Sequence, residues 1–480
     1  MTSVPEPDVT GVQPSTGQMR GAETLVLLHQ HRLRHVFNTP TGWHYWDGQR
    51  WRPDDSNHAR ECLLGTIAHM SKLSLAGHIP ATTIAEMHRS SGQRGVMEIA
   101  SHMPPFAVSN SDMDSDPYLL NTANGTLDLR SFDLRPHDPG DLITQVTKAA
   151  YNPNEKSQLW DSFLTTILPD AEVRDYLQRL IGYSLLGEVT HHIFPLLIGE
   201  GGNGKGTFYG AVLDALGDYA APFDSTLLLQ TRSDFASANA PAPAVLGLKG
   251  KRFVVTSETP EDAKLATAKM KFFTGGDTLT ARGLHAKANT VFEPSHTMFM
   301  VSNFEPRLSS EDAAAWQRIV AIPFNVKIRG TDLEIPGFDH QLRSAKDAIL
   351  TWAVEGLRAF YDRGLDAPAQ VLLRTAAYHA KTDGVAQYID ARLQPAADPL
   401  AAKARIPRTE VWEDFLRYAK AENIETPRQS DFYAKVAKTY DMGKTNGVWV
   451  IRGVEITSDV LDTSDTTFLD TLEDDTTIKE

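Results

Sequence analysis

The sequence predicts an α/β fold of several domains, organised around one buried strand, a glycine-rich loop and a helix. Three observations predict it. The apolar run Pro195-Leu-Leu-Ile198 reads as a strand and leads into Gly199-Glu-Gly-Gly-Asn-Gly-Lys-Gly-Thr207. Residues 206–216 then carry helical periodicity, with Phe208, Val212, Leu213 and Leu216 on one face and Gly217 as the stop. Further strand-like runs that end in polar groups follow at 252–258 and 297–303, with another at 318–324.

A chain of 480 residues holds about three domains by length alone. Its 41% hydrophobic content suits globular cores. No apolar run approaches the ~20 residues that span a bilayer, so no membrane segment is expected. Residues 1–20 form a polar lead-in without the apolar stretch of a signal peptide. Cys62 is the single cysteine, which excludes internal disulfides and multi-cysteine zinc sites and fits a reducing cytoplasm. The net charge of −14 does not advertise nucleic-acid binding. Half of it, however, lies in the acidic tail 458–480, with eight acids against Lys479. That tail has little to bury and is expected to be disordered.

In chain order, residues 21–110 read as an N-terminal α+β region. Ala22–Arg34 suggests a helix, and Asp47-Gly48 between aromatic runs signals a hairpin. Trp43, Trp46 and Trp51 suggest a small apolar cluster. His29, His31 and His35 do not share a face that could hold one metal, so surface histidines are expected. Residues 54–94 are mainly helical. Asp112, Asp114 and Asp116 have calcium-loop spacing, but Pro117 and Ala123 stand where Gly and Glu are needed, and a solvated loop is expected. Residues 111–190 form a domain preceding the core, with a turn at Asn124-Gly125 and helix over 160–186. Residues 191–330 are the core, and 331–396 a helical extension in which Asp339 is the expected N-cap. Residues 397–457 form a last small domain, opening on a linker over 397–406.

The chemistry follows from the core's loop. Gly199, Gly201, Gly202, Asn203, Gly204, Lys205, Gly206 and Thr207 fit a P-loop, G-x-x-x-x-G-K-S/T, except that Gly206 stands where a hydroxyl belongs. Glycines let backbone N–H groups ring a phosphate, Lys205 adds charge, and the helix N-terminus adds its dipole. Thr207 is the nearest hydroxyl for a magnesium ion. Glu258, at a strand end, is the candidate carboxylate for magnesium and for the attacking water, with Ser257 beside it. Asn303, ending another strand, can bond a γ-phosphate. Arg318 can neutralise transition-state charge from a neighbouring subunit. His285 and Lys287 sit where a hairpin could meet a phosphate backbone. Each of these residues alone also reads as an ordinary surface group.

Order and spacing together add more. Residues 202–208 (Gly-Asn-Gly-Lys-Gly-Thr-Phe), Ser257-Glu258, Lys271-x-x-Thr-Gly-Gly-Asp277, Thr280-Ala-Arg282, Ser302-Asn-x-x-Pro306 and Trp316-x-Arg318 resemble the superfamily 3 helicases. The resemblance is greatest to the phage and plasmid primase–helicases related to those of poxviruses. Tyr118–Leu129 and Gln178–Gly182 resemble the helical domain before that motor, so the likeness covers about residues 110–330. It implies an AAA+-like P-loop NTPase core that uses ATP and Mg2+. It further implies a homo-oligomeric ring, usually a hexamer, that translocates on single-stranded DNA and opens forks. By resemblance, Lys205 binds phosphate, Glu258 serves magnesium and water, Asn303 senses the γ-phosphate, and Arg318 is the finger. His285 and Lys287 face DNA, although that segment departs from the family's more aromatic pattern.

At the C-terminal end, helical spacing over 409–421, a helix from Ser430 as N-cap, and a turn at Asn446-Gly447 look like a winged helix. Lys435, Lys438 and Lys444 are its candidate DNA contacts. No paired catalytic aspartates of a polymerising domain are evident, so primer synthesis is expected from a partner protein if at all. The site of action is expected to be the cytoplasm, that of the host if the chain is viral. Two other functions fit less of the sequence. One is a non-enzymatic ATP-binding initiation or loading protein. The other is a small-molecule phosphotransferase, which leaves Asn303, Arg318 and the last domain unused.

Overall fold

The computed structural model describes residues 17–39, 41–230, 243–257, 263–282, 289–309, 312–396, 405–422, 424 and 426–457. Glu258, His285, Lys287, most of the lead-in, the first part of the 397–406 linker and the acidic tail lie outside the described residues. The chain divides into two units: Met1–Leu308 with Ala314–Thr375, and Ser309–Ala313 with Ala376–Glu480.

The first unit opens with α1 (Gly17–His29), β1 (Leu33–Val36), β2 (Trp43–Trp46), β3 (Trp51–Pro53), α2 (His58–Leu75), α3 (Ala81–Met87), α4 (Ser90–Ser101) and β4 (Ala107–Val108). The sheet order is β3-β2-β1-β4. The helix expected over 22–34 stops at His29, because Leu33–Val36 pairs with β2 on one side and β4 on the other. Strand partners outside the local window override helical periodicity here. The Asp47-Gly48 hairpin is present, with the Asp47 carboxylate accepting the amides of Gln49 and Arg50 at 2.8 and 2.9 Å. The three tryptophans do not form one cluster. Trp51 is buried with Val36, Val108 and Met113, whereas Trp43 packs edge-on against Phe106 in the helical core. His31 is exposed as expected. His29 and His35 are half-buried, and burial lowers their pKa, that of His29 to about 4.

Residues 112–116 are not simply a solvated loop. The Asp114 carboxylate accepts the Thr144 amide (2.7 Å) and hydroxyl (2.5 Å), and burial raises its pKa. Next come β5 (Leu119–Thr122), β6 (Gly125–Asp128) and β7 (Leu134–Arg135). The turn falls one residue earlier than expected, on Ala123-Asn124, since Thr122 pairs with Gly125. A Cβ at Gly125 would lie 2.4 Å from the Arg135 carbonyl oxygen. The helix expected over 160–186 is two helices, α5 (Gln158–Ile167) and α6 (Ala171–Tyr183). Pro169 ends the first, and the Asp170 carboxylate caps the second by accepting from Glu172 and Val173.

The core then runs β8 (Phe194–Ile198), α7 (Lys205–Leu216), β9 (Ala220–Phe223), α8 (Pro243–Leu246), β10 (Phe253–Thr256), α9 (Thr267–Thr274), β11 (Leu279–Ala281), β12 (Thr290–Phe292), β13 (Thr297–Ser302), α10 (Ala313–Trp316) and β14 (Ile319–Pro323). Five strands form a parallel sheet, ordered β14-β8-β13-β10-β9. All five residues of β8 are buried, as a strand covered on both faces requires. Helix α7 ends at Gly217, whose φ of 56° is the left-handed stop that the sequence announces. β11 and β12 pair as an antiparallel hairpin.

Beyond the sheet lie α11 (Phe338–Leu342), α12 (Lys346–Arg363) and α13 (Ala369–Thr382). Asp339 is not a cap: Gly337 holds the cap position of α11, and α12 starts only at Lys346. Helices α12 and α6 cross so closely that a Cβ at Gly182 would lie 2.1 Å from the Leu357 nitrogen. One at Gly356 would lie 2.1 Å from the Gln178 carbonyl oxygen. Trp160 stacks on Phe208 and meets Trp352 edge-on, joining α5, α7 and α12 into one core.

The second unit contains α14 (Gly384–Arg392), β15 (Leu393–Pro395), β16 (Arg405–Pro407), α15 (Arg408–Ala421), α16 (Gln429–Thr439), β17 (Met442–Thr445), β18 (Val448–Arg452) and β19 (Val454–Ile456). Two helices pack beside a three-stranded sheet, ordered β16-β18-β17, so Arg405 and Ile406 of the expected linker are strand. The Asn446-Gly447 turn is present, with φ of 50° and 84°. Ser430 is not the N-cap; α16 begins at Gln429, and the Ser430 hydroxyl bonds the Asp431 carboxylate. Tyr388, Phe415, Phe432 and Ile451 form the core. Asp414, 2% exposed, is held by Arg392, Arg417 and the Tyr388 hydroxyl at 2.9, 3.1 and 3.0 Å. Burial alone would raise its pKa, but these hydrogen bonds outweigh it and hold the carboxyl below its usual range. Among the described residues, no helix is long and apolar enough to cross a membrane.

Candidate functional site

The loop after β8 is shaped by close approach. A Cβ at Gly199 would lie 2.1 Å from the Phe324 carbonyl oxygen and 2.3 Å from Asn203 Nδ2, so only glycine fits. Gly202 and Gly204 have φ of 81° and 82°, the left-handed region that glycine adopts without strain. Asn203 is buried and donates from Nδ2 to the Phe324 oxygen at 2.7 Å, tying the loop to the end of β14. The amides of Ile328 and Arg329 both donate to the Gly202 oxygen at 2.8 Å. The loop is therefore held from two sides, and α7 begins at Lys205. The first intrahelical bond runs from the Phe208 amide to the Gly204 oxygen. The amides of residues 205–207 precede it and point out of the helix N-terminus.

Lys205 is 3% exposed, and its ammonium lies among four oxygens. It donates to the carbonyls of Gly199 (2.5 Å) and Glu200 (3.2 Å), to Asn203 Oδ1 (3.0 Å) and to Asn303 Oδ1 (3.1 Å). Burial pulls its pKa down to about 8. Asn303 reaches it because β13 lies beside β8 and ends level with it, Ser302 pairing with Ile198. Binding at the carboxyl ends of neighbouring strands is the general rule for open α/β sheets.

A cavity of about 630 Å³ opens over this point. Its polar wall is the loop 201–207 with Ser257, Asn303 and Arg329, and its apolar wall includes Leu159, Phe163, Ile328, Leu333 and Phe338. Gly206 and Thr207 both line it, and a Cβ built at Gly206 meets nothing within 4 Å. The departure from the loop pattern at Gly206 is thus not forced by packing. Thr207, the next residue along α7, brings a hydroxyl to the same cavity. Ser257 lies at the cavity, whereas the neighbouring Glu258 lies outside the described residues.

Arg318 is not brought to this cavity. It precedes β14 at the amino end of the sheet, where the Phe194 amide donates to its carbonyl oxygen. The five pairs from Ile319 to Pro323 separate it from the loop by roughly 16 Å. Its guanidinium donates to the Lys271 carbonyl (3.2 Å) and the Thr274 hydroxyl (3.1 Å). His285 and Lys287 lie outside the described residues, between β11 and β12. In the second unit, Lys435 is paired with Asp383 at 3.0 Å, while Lys438 and Lys444 are exposed. Sequence reasoning missed Arg329 and the wall from α5. The first lies in an irregular segment without a motif, and the second depends on how α5 packs.

This chain is similar to several known proteins. A family model described as D5 N terminal like matches residues 22–169. The protein L207/L206 of Acanthamoeba polyphaga mimivirus, which carries a provisional helicase name, is 28% identical over 326 residues. That match covers 64% of this chain and 34% of the mimivirus protein. The protein 184R of Invertebrate iridescent virus 6, also provisionally named a helicase, is 27% identical over 56% of this chain and 29% of its own length. African swine fever virus C962R, provisionally named a primase, is 25% identical over 49% of this chain and 25% of its own length. The chain thus spans about a third or less of these relatives. Among solved structures, the apo A form of the NrS-1 C-terminal region matches with a TM-score of 0.50 at 12% identity. It covers 92% of this chain and all of that one, a likeness of fold.

Proposed function

We propose, from the premise that this chain is a member of the primase–helicase family, that it is an ATP-driven DNA helicase of phage or plasmid replication. In this reading, residues 191–330 form a P-loop, AAA+-like motor. It moves along single-stranded DNA as a ring of identical subunits, a hexamer on the family resemblance, in the cytoplasm. The observation that carries the reading is the Lys205 ammonium, buried at the N-terminus of α7 and shared by the loop carbonyls and Asn303.

Those four oxygens occupy the place that phosphate oxygens would take. Lys205 would exchange them for the β- and γ-phosphates, while the amides of residues 205–207 donate to the same groups. Asn303, released from Lys205, would then hydrogen-bond the γ-phosphate or the attacking water. The apolar wall of Leu159, Phe163 and Phe338 suits a nucleobase, and the exposed Arg329 suits a phosphate. A magnesium ion would neutralise phosphate charge, and Thr207 and Glu258 are the residues that would hold it. Arg318, too far from its own chain's loop, would serve a neighbouring subunit. Residues 397–457 would act as a winged-helix-like DNA-binding domain, and any primer synthesis would come from another replication protein.

The test is ATP hydrolysis with and without single-stranded DNA. Stimulation by DNA is expected, with hydrolysis lost in Lys205→Ala and reduced at least tenfold in Asn303→Ala. Hydrolysis that ignores DNA, or that survives Lys205→Ala, would overturn the proposal.

A further inference from the structure

We propose that Trp449 is a stacking platform for the unpaired bases of single-stranded nucleic acid, flanked by Arg408 and Lys444 for the phosphates. This deepens the DNA-binding reading of the second unit and rests on it. Pro407 pairs with Val450, and Lys444 pairs with Trp449, so Trp449 on the central strand has Lys444 beside it on β17 and Arg408, the first residue of α15, just beyond the end of β16. Further along β18 the side chains turn inward, Val450 and Ile451 being buried. Trp449 stays 39% exposed and Val448 52% exposed.

The surroundings of the indole are cationic. The Arg408 guanidinium lies between two rings, 4.9 Å from Tyr433 and 5.4 Å from Trp449, and the Lys444 ammonium lies 5.6 Å from Trp449. The Tyr433 hydroxyl donates to the Arg408 carbonyl at 2.9 Å, fixing the start of α15. Among the described residues, neither Arg408 nor Lys444 forms a salt bridge. Arg392, Arg417, Lys435 and Arg452 of the same unit are all paired with aspartates. The left-handed Asn446-Gly447 turn joins β17 to β18 and fixes the register that puts Lys444 opposite Trp449.

A partly exposed indole with Arg408 and Lys444 over its ring, neither in a salt bridge among the described residues, selects a partner that offers both a π face and anionic groups: phosphates draw a long cationic side chain off the ring, and a base takes its place. A single strand offers both at once, because its bases are unstacked and its phosphates follow the backbone. A duplex hides its base faces. The platform therefore distinguishes the two, which phosphate contacts from lysines alone cannot do.

The experiment uses the full chain with a fluorescent oligothymidylate and a duplex of equal length. Trp449→Ala should weaken single-strand binding about tenfold or more, with duplex binding changed little. Trp449→Phe should restore most of the loss. Lys444→Ala should reduce the salt slope of log affinity by about 0.7. Thermal unfolding of each variant reports whether the fold is intact. Wild-type-like single-strand binding by Trp449→Ala would overturn the platform and leave the motor reading standing. Equal loss on single strand and duplex would overturn stacking in favour of a general contact. A wild-type chain that binds neither would overturn the platform and the DNA-binding reading together.

Discussion

Lys205 holds a charge where burial disfavours it, and this has a measurable consequence. Its pKa falls from 10.5 to about 8 in the folded chain. Between those values the unfolded chain carries more protons at this group, so stability contributed by Lys205 rises as pH increases from about 8 to 10.5. Nucleotide binding should run the other way. A phosphate needs the ammonium, so ATP affinity should be flat below pH 8 and then fall by up to roughly tenfold per pH unit. Titration of ATP affinity from pH 7 to 10 checks this, and Lys205→Ala should bind weakly at every pH. Affinity that stays level through pH 9.5 would mean that the amine does not meet phosphate. At this scale the sequence was most legible where a backbone constraint has one chemical solution. Gly202 and Gly204 belong to a motif whose backbone geometry is local, whereas the tight fit at Gly199 and the bond from Asn203 both depend on Phe324, far along the chain. Asp114 and Asp414 were not legible as structural carboxylates, because their partners (Thr144, and Arg392 with Tyr388) come from distant positions or a neighbouring helix.

Among the elements, the crossing of α6 and α12 is the contact least tolerant of change. Gly182 and Gly356 let the two backbones meet, and a Cβ at either would lie about 2 Å from a backbone atom of the other helix. Backbone cannot rotate away as a side chain can, so the helices must separate. Gly356→Ala should cost about 1–3 kcal/mol despite alanine's better helix propensity, and Gly356→Val should cost more. Urea unfolding of both variants measures it; a stabilised Gly356→Ala would show that the crossing relaxes freely. This contact was invisible in the sequence, where an interior helical glycine reads as a weakness or a stop. Gly217, Asp47-Gly48 and Asn446-Gly447 were legible because a turn is decided by two or three adjacent residues. β1 and β16 were not, since each becomes a strand only through partners elsewhere. The split at Pro169 was signalled by Leu168-Pro169-Asp170 but masked by the apolar spacing on both sides.

At the scale of the whole molecule, the position of Arg318 carries the argument for assembly. Its own loop lies at the opposite end of the sheet, so a catalytic Arg318 must act on another subunit. A merely structural Arg318 is the competing explanation, because the guanidinium already ties the end of α9 through Lys271 and Thr274. Single substitutions cannot separate the two, since both explanations predict lost hydrolysis for Arg318→Ala. Mixing can. In a ring, each site would draw its Lys205 from one subunit and its Arg318 from the next. An equimolar mixture of Lys205→Ala and Arg318→Ala chains would contain both residues intact at roughly a quarter of its sites. We expect neither variant to hydrolyse ATP alone and the mixture to recover part of the DNA-stimulated rate. Recovery should grow with total protein concentration as rings form. If Arg318 only braces α9, the damaged subunits stay damaged in the mixture and no rate returns. Full activity of Arg318→Ala by itself would mean that the site closes within one chain, and the ring motor would have to be abandoned.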